Sequence, residues 1–180
     1  MGKEQNMAKF LIVYSSRTGN TKKVAEALYA AAPEGSVLRE AGDMPEADGY
    51  GAVFAGYWMD RGGPDEAMKA FLRTLSGQKV VLFETMGAGP EGEHAYTGFA
   101  NAATCLPEGN TVAGVFAVQG AIDPALVAAM RKMGPSNPHG TSQMMQTAEA
   151  AASHPDAADL ERAGRYMESF AERYRRYFEK

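Results

Sequence analysis

The sequence predicts an α/β fold: a doubly wound three-layer sandwich around a five-stranded parallel sheet. Three observations lead there. Short apolar runs alternate with amphipathic stretches along the whole chain, the pattern of strands joined by crossover helices. The first run, Phe10-Leu11-Ile12-Val13-Tyr14, is continuously apolar, as a strand covered on both faces must be. Right-handed crossovers between parallel strands then put helices on both faces of the sheet.

The elements follow in order. After the first strand, Ser15 to Thr21 is rich in small polar residues and opens a helix in which Val24, Ala27, Leu28 and Ala31 recur at helical spacing. Pro33 and Gly35 stop that helix. Ser36 to Arg39 is a weak second strand and Tyr50 to Gly56 a clear third. The segment Tyr57 to Gly63 reads as a loop, and Pro64 as a first-turn residue of a helix carrying Ala67, Met68, Phe71, Leu72 and Leu75. Lys79 to Phe83 is the fourth strand. A Gly-rich loop and a helix over about His94 to Cys105 precede the fifth strand, Thr111 to Val118. A short helix over Ala125 to Met133 is followed by a long insertion, Gly134 to Ala152. Ser153 to Asp156 has the Ser-x-x-Asp spacing of a capping box. The last helix carries Leu160, Ala163, Gly164, Met167 and Tyr174 on one face, with Phe170 or Ala171 completing it.

The 180 residues are read as one domain over 8–180, with residues 1–7 as a flexible polar N-terminus. A net charge of −4 and a sequence pI near 5.4 are not the footprint of a nucleic-acid binder. A single cysteine, Cys105, excludes an internal disulfide and a thiolate-only metal cluster, and suits a reducing compartment. No apolar run approaches the roughly 18–20 residues of a membrane span, so a cytoplasmic protein with no membrane partner is expected. His94, His139 and His154 stand at no metal-ligand spacing.

In open parallel sheets, ligands sit beyond the carboxyl ends of the strands. After the first strand comes Ser16-Arg17-Thr18-Gly19-Asn20-Thr21, running directly into a helix. The N-terminus of a helix offers unpaired N–H groups and partial positive charge to an anion, and Ser16, Thr18, Asn20 and Thr21 add neutral donors. The Gly-x-x-x-x-Gly-Lys-Ser/Thr pattern of a hydrolysing P-loop is absent. Neutral donors suit a mononucleotide held permanently. A second glycine pattern, Gly87-Ala88-Gly89-Pro90-Glu91-Gly92, matches Gly-x-Gly-x-x-Gly. It follows the fourth strand rather than the first and carries a Pro in its turn, so dinucleotide binding there is not expected.

The Ser16–Thr21 stretch resembles the FMN-phosphate loop of the flavodoxin family, of the form Ser/Thr-x-Thr-Gly-x-Thr, at the family's place after the first strand. The resemblance extends to the order of elements and implies a strand order 2-1-3-4-5 and FMN as cofactor. It also implies two flavin loops. In one, Tyr57, Trp58, Met59 and Asp60 would flank the isoalloxazine ring, with Trp58 the first choice for the stacking aromatic and Tyr57 the second. In the other, backbone N–H groups of Thr85, Met86, Gly87 and Ala88 would bond the pyrimidine edge. Tyr96 or His94 would supply a second stacking side chain, and otherwise one flavin face would be open or covered by residues 134–152. Arg17 would compensate phosphate charge or be a solvated side chain, and Arg61 would place a cation near the flavin. Most methionines are core filler; Met86, Met130, Met133, Met144 and Met145 offer an adaptable docking surface.

The function implied is an electron-transfer protein with no catalytic side chain, a monomer or weak dimer, shuttling electrons between a reductase and an acceptor enzyme. Asp60, Asp65, Glu66, Glu91 and Glu93 would steer a basic redox partner. The alternative is an FMN-dependent NAD(P)H oxidoreductase acting on quinones or similar small acceptors. A flavin-free phosphoreceiver is disfavoured, because the first strand ends in Tyr14-Ser15-Ser16 with no acid.

Overall fold

The computed structural model describes residues 8–133 and 142–179. The expectation for residues 1–7 lies outside them, as does the first part of the 134–152 insertion. In chain order the elements are β1 (Phe10–Tyr14), α1 (Asn20–Ala30), β2 (Val37–Glu40), a 3-10 turn (Ala41–Asp43), β3 (Ala52–Asp60), β4 (Gly63–Pro64) and α2 (Glu66–Leu72). There follow β5 (Lys79–Met86), α3 (Glu93–Ala103), β6 (Thr111–Gln119), α4 (Pro124–Met133), α5 (Ser142–Ala151) and α6 (Ala157–Phe178).

The sheet runs β2-β1-β3-β5-β6, and all four of those pairings are parallel. This is the expected order with one strand added, since the two-residue β4 pairs only with the end of β3. The sheet's faces differ in what covers them. Phe10, Ile12, Phe54 and Phe83 pack on one face against Val24 and Leu28 of α1 and Ala163, Met167 and Phe170 of α6. Leu11, Val13, Val53, Ala55 and Leu82 pack on the other with Met68, Phe71 and Leu72 of α2 and Ala102 of α3. Alternate residues of β1 thus enter different layers, which is why its sequence is apolar throughout rather than alternating. Each fully buried Phe, Leu or Ile contributes about 1.5–3 kcal/mol relative to exposure.

Several local expectations change. Pro64 lies in β4, before the Asp65 N-cap of α2, rather than in the helix's first turn, and β5 runs on through Glu84, Thr85 and Met86, which were expected in the loop after it. The segment Tyr57 to Gly63 is not a loop: β3 continues to Asp60 and turns back into β4 through Arg61 and Gly62. Both turn residues have positive φ, 51° and 85°, as a two-residue type I′ hairpin requires. Glycine takes this without cost; Arg61 does so as one of two non-glycine residues of positive φ among those described. The last helix begins not at Ser153 but at Asp156, whose side chain accepts from the Asp159 N–H while Asp159 reaches back to the Asp156 N–H. A start at Ser153 would need His154 to be helical, which the following Pro155 disfavours, and Asp156 is extended, as an N-cap must be.

Candidate functional site

The carboxyl ends of β1, β3, β5 and β6 meet in one place, and there the structure opens a cavity of about 520 Å³. From the β1–α1 loop it is lined by Arg17, Thr18 and Asn20, and from the end of β3 by Trp58 and Met59. From the end of β5 it is lined by Thr85, Met86, Gly87 and Ala88. These three segments, far apart in sequence, are adjacent because β3 lies between β1 and β5 in the sheet.

The β1–α1 loop leaves the N-terminus of α1 open, the arrangement that can hold an anion. Gly19 is the N-cap of α1 with φ 93°, and no side chain caps the helix. A Cβ on Gly19 would meet nothing, so the position requires glycine for its dihedral and not for room. The Ser16 hydroxyl accepts from the Gly19 N–H at 3.1 Å, tightening the turn. The next N–H groups, on Asn20 and Thr21, have no intrahelical acceptor, and the helix pole adds partial positive charge. The donors fit a phosphate monoester, and the volume falls within the usual range of ligand pockets.

Not every side chain of the motif faces the cavity. Thr21 is fully buried and shares a 2.8 Å hydrogen bond with Thr85. Asn20 donates from Nδ2 to the Ala121 carbonyl at 2.9 Å, tying α1 to the loop after β6. A Cβ on Gly120 would crowd that amide. These two side chains brace the loops, Asn20 from the cavity wall itself, whereas Ser16, Gly19 and Thr21, expected at the site, are not among the lining residues; Thr18 and the backbone at the helix tip are left for a ligand. Arg17 reaches across to Asp123 at 3.5 Å and lies over the Trp58 ring, 5.5 Å from its centroid. The ion pair is largely exposed and worth about 0–1 kcal/mol.

Tyr57 and Asp60 are not among the lining residues. Tyr57 is wholly buried beneath the site and donates from its hydroxyl to Glu84 Oε2 at 2.7 Å. Burial, with the Glu84 carboxyl beside it, pushes the Tyr57 phenol far above its ordinary value. Strand alternation sends Tyr57 to one side of the sheet's end and Trp58 to the other, so Trp58 alone of the pair faces the cavity. His94, on the first turn of α3, also lines it, whereas Tyr96 is 69% exposed. Arg61 sits exposed in the hairpin turn, away from the lining. Asp65 is not a surface acid: it is the buried N-cap of α2, accepting from the Ser15 hydroxyl and the Ala67 N–H.

The remaining wall comes partly from the segment 134–152, offered above as a cover, through its residues Gln143, Met144 and Thr147, and partly from residues that no motif indicated. Gly120 to Asp123, after β6, and Leu126 and Met130, on α4, line the cavity with Gln143, Met144 and Thr147 of α5. The rule that ligands sit at strand carboxyl ends applies equally to β6 and points to residues 120–123. Nothing local marks Leu126 or Thr147 as wall residues, because only the return of α4 and α5 over the sheet end brings them there. Met130 and Met144, two of the methionines proposed as an adaptable surface, are part of this roof.

A flavodoxin-domain family model matches residues 11–168. The flavodoxin-like domain-containing protein BilS of Clostridioides difficile strain CD3 is 32% identical over 168 residues, covering 89% of this chain and 95% of its own. Among solved structures, oxidised flavodoxin 2 from Bacillus cereus aligns with a TM-score of 0.55 at 20% identity, covering 92% of this chain and 99% of its own. An azoreductase from Bacillus anthracis aligns at 0.56 with 13% identity, covering 91% and 100%. The chain belongs to the flavodoxin family. None of the described helices is long and apolar enough to cross a membrane.

Proposed function

We propose that this protein binds FMN at the cavity and transfers electrons through it, between a reductase and an acceptor enzyme. The observation that carries this reading is the uncapped α1 tip, with Thr18 beside it, opening into the same cavity as Trp58 and the Thr85–Ala88 loop. The α1 tip would hold the phosphate. Trp58 and Met59 would lie against the ring system, and the backbone of Thr85 to Ala88 would bond its polar edge. When bound, FMN supplies reversible one- and two-electron chemistry. The chain's part is to bind, to exclude water and to set the local charge. Exposed Glu91 and Glu93 stand beside the cavity residue His94 and give a partner with a basic face something to approach.

The roof of α4 and α5 favours a second reading. Leu126, Met130 and Thr147 add side chains beside the ring's expected place, which would suit contact with a small acceptor. In that case the protein is an FMN-dependent NAD(P)H oxidoreductase.

Titration of the apoprotein with FMN tests the common core: quenching of flavin fluorescence at micromolar protein is expected, and its absence rejects both readings. Steady-state NAD(P)H oxidation with a small quinone and no added reductase separates them. Turnover selects the oxidoreductase. Its absence, together with two separated one-electron steps on photoreduction, selects the carrier.

A further inference from the structure

Glu84 is an acid in a place where acids are rarely found. It lies near the end of β5, fully buried, and faces the layer of α2 and α3. Its Oε2 accepts from the Tyr57 hydroxyl, while its Oε1 is the buried side-chain oxygen without a partner among the described residues. Space for it is made by Gly98 of α3, where a Cβ would overlap both Glu84 Oε2 and the Met59 methyl. A carboxylate here would be a buried charge with one hydrogen bond, which a low-dielectric interior strongly disfavours. The neutral acid removes that penalty. Burial accordingly raises the Glu84 carboxyl to about 7, with the Tyr57 hydrogen bond opposing the rise.

The position of the pair matters. Tyr57 and Glu84 stand directly opposite in adjacent strands. The next residues, Trp58 and Thr85, are also opposite and line the cavity, as do Met59 and Met86 after them. The pair therefore sits under both walls. Tyr57 is the titratable group set against Glu84; α3 presents Gly98 to it, and β6 places Ala117 opposite. Cys105, just beyond α3, packs against the same apolar layer as Tyr57.

We propose that Glu84 is a proton-linked positioning residue of the flavin site: held as a neutral acid against Tyr57, it keeps the two walls in register, and its ionisation makes reduction of the bound flavin harder. This rests on the FMN reading above. Electrons come from the reductant and go to the flavin. The proton that Glu84 binds or releases is exchanged with solvent, and no bond to Glu84 changes except O–H. Negative charge arriving in the cavity raises the proton affinity of a nearby carboxyl, so by linkage the ionised carboxylate lowers the flavin's affinity for electrons.

The test uses the full-length FMN-loaded protein. The midpoint potential of the wild type, followed from pH 5 to 9 by spectroelectrochemistry, is expected to show a bend near pH 7 that Glu84→Gln lacks. Tyr57→Phe removes a hydrogen bond that favours the ionised form and is expected to move the bend to higher pH. Carboxyl-carbon NMR of glutamate-labelled protein reads the residue directly. One resonance should titrate near neutrality and vanish in Glu84→Gln; should that variant fail to fold, Tyr57→Phe and the wild-type titration still decide. A bend unchanged in Glu84→Gln, or every glutamate titrating in the ordinary acid range, overturns the proposal. Flavin quenching distinguishes the two failures: if it is lost, the FMN reading fails and the coupling with it, whereas quenching without the bend removes the coupling alone.

Discussion

Thr21 and Thr85 share a buried hydrogen bond of 2.8 Å that joins the first turn of α1 to the end of β5. It fastens the helix tip proposed to hold the phosphate to the strand end expected to meet the ring edge, and so resists their separation. Removing one partner strands the other hydroxyl. Thr85→Val is expected to destabilise the apoprotein by roughly 1–3 kcal/mol. Thr21→Val/Thr85→Val is expected to cost less than the sum of the single changes, because no unpaired group remains. Urea unfolding of the three variants checks this, and strict additivity would count against the bond.

Trp58 is the only tryptophan of the chain and lines the cavity, so its emission reports on the site. FMN binding is expected to quench it. Trp58→Ala is expected to weaken FMN binding by at least tenfold, because buried aromatic area is lost together with roughly 0.5–1.5 kcal/mol of ring–ring interaction. Isothermal titration of both proteins measures the change.

Arg17 sits over Trp58 and beside Asp123 at the cavity's edge, and both contacts are partly open to solvent. Arg17→Ala is therefore expected to weaken FMN binding by less than tenfold, roughly 1 kcal/mol or below. The wild-type advantage should shrink in high salt. A hundredfold loss insensitive to salt would mean that Arg17 has a tighter, desolvated contact with the ligand.

Gly98 leaves the space that Glu84 and Met59 fill. Gly98→Ala gains helix propensity but overpacks this point, and overpacking costs typically about 1–3 kcal/mol. A lower thermal midpoint is expected, along with weaker FMN binding through a displaced Met59. Equal stability with unchanged affinity would show that the pocket relaxes freely.

The pH dependence of stability follows from Glu84. Its folded-state value lies near 7, against 4.5 for the free side chain. Between these values the folded protein holds more protons than the unfolded one, so stability falls as pH rises from about 4.5 to 7 and then levels. The full effect is about 3 kcal/mol at most. Glu84→Gln is expected to remove this slope and to be more stable than the wild type at pH 8. Urea unfolding of apoprotein at pH 5 and pH 8 gives the comparison.

What the sequence determined by itself was the layered fold and the two loops whose chemistry is local. The apolar run of β1 encodes burial on both faces. Thr18-Gly19-Asn20 encodes a helix tip open to an anion, since dihedral freedom and unpaired N–H groups arise within a few residues. That Trp58 and Thr85–Ala88 would line the cavity followed from the strand-end rule together with the flavodoxin resemblance. Tertiary structure alone decided the rest. Extension of β3 to Asp60 depends on pairing with β4 and β5, and that pairing turned Tyr57 inward to Glu84 while leaving Trp58 at the cavity. Thr21 and Asn20 became braces because Thr85 and Ala121, distant in sequence, arrived beside them. The roof exists only where α4 and α5 fold back. Such features carry no local signature, because the interactions that create them join residues that only the sheet order makes neighbours.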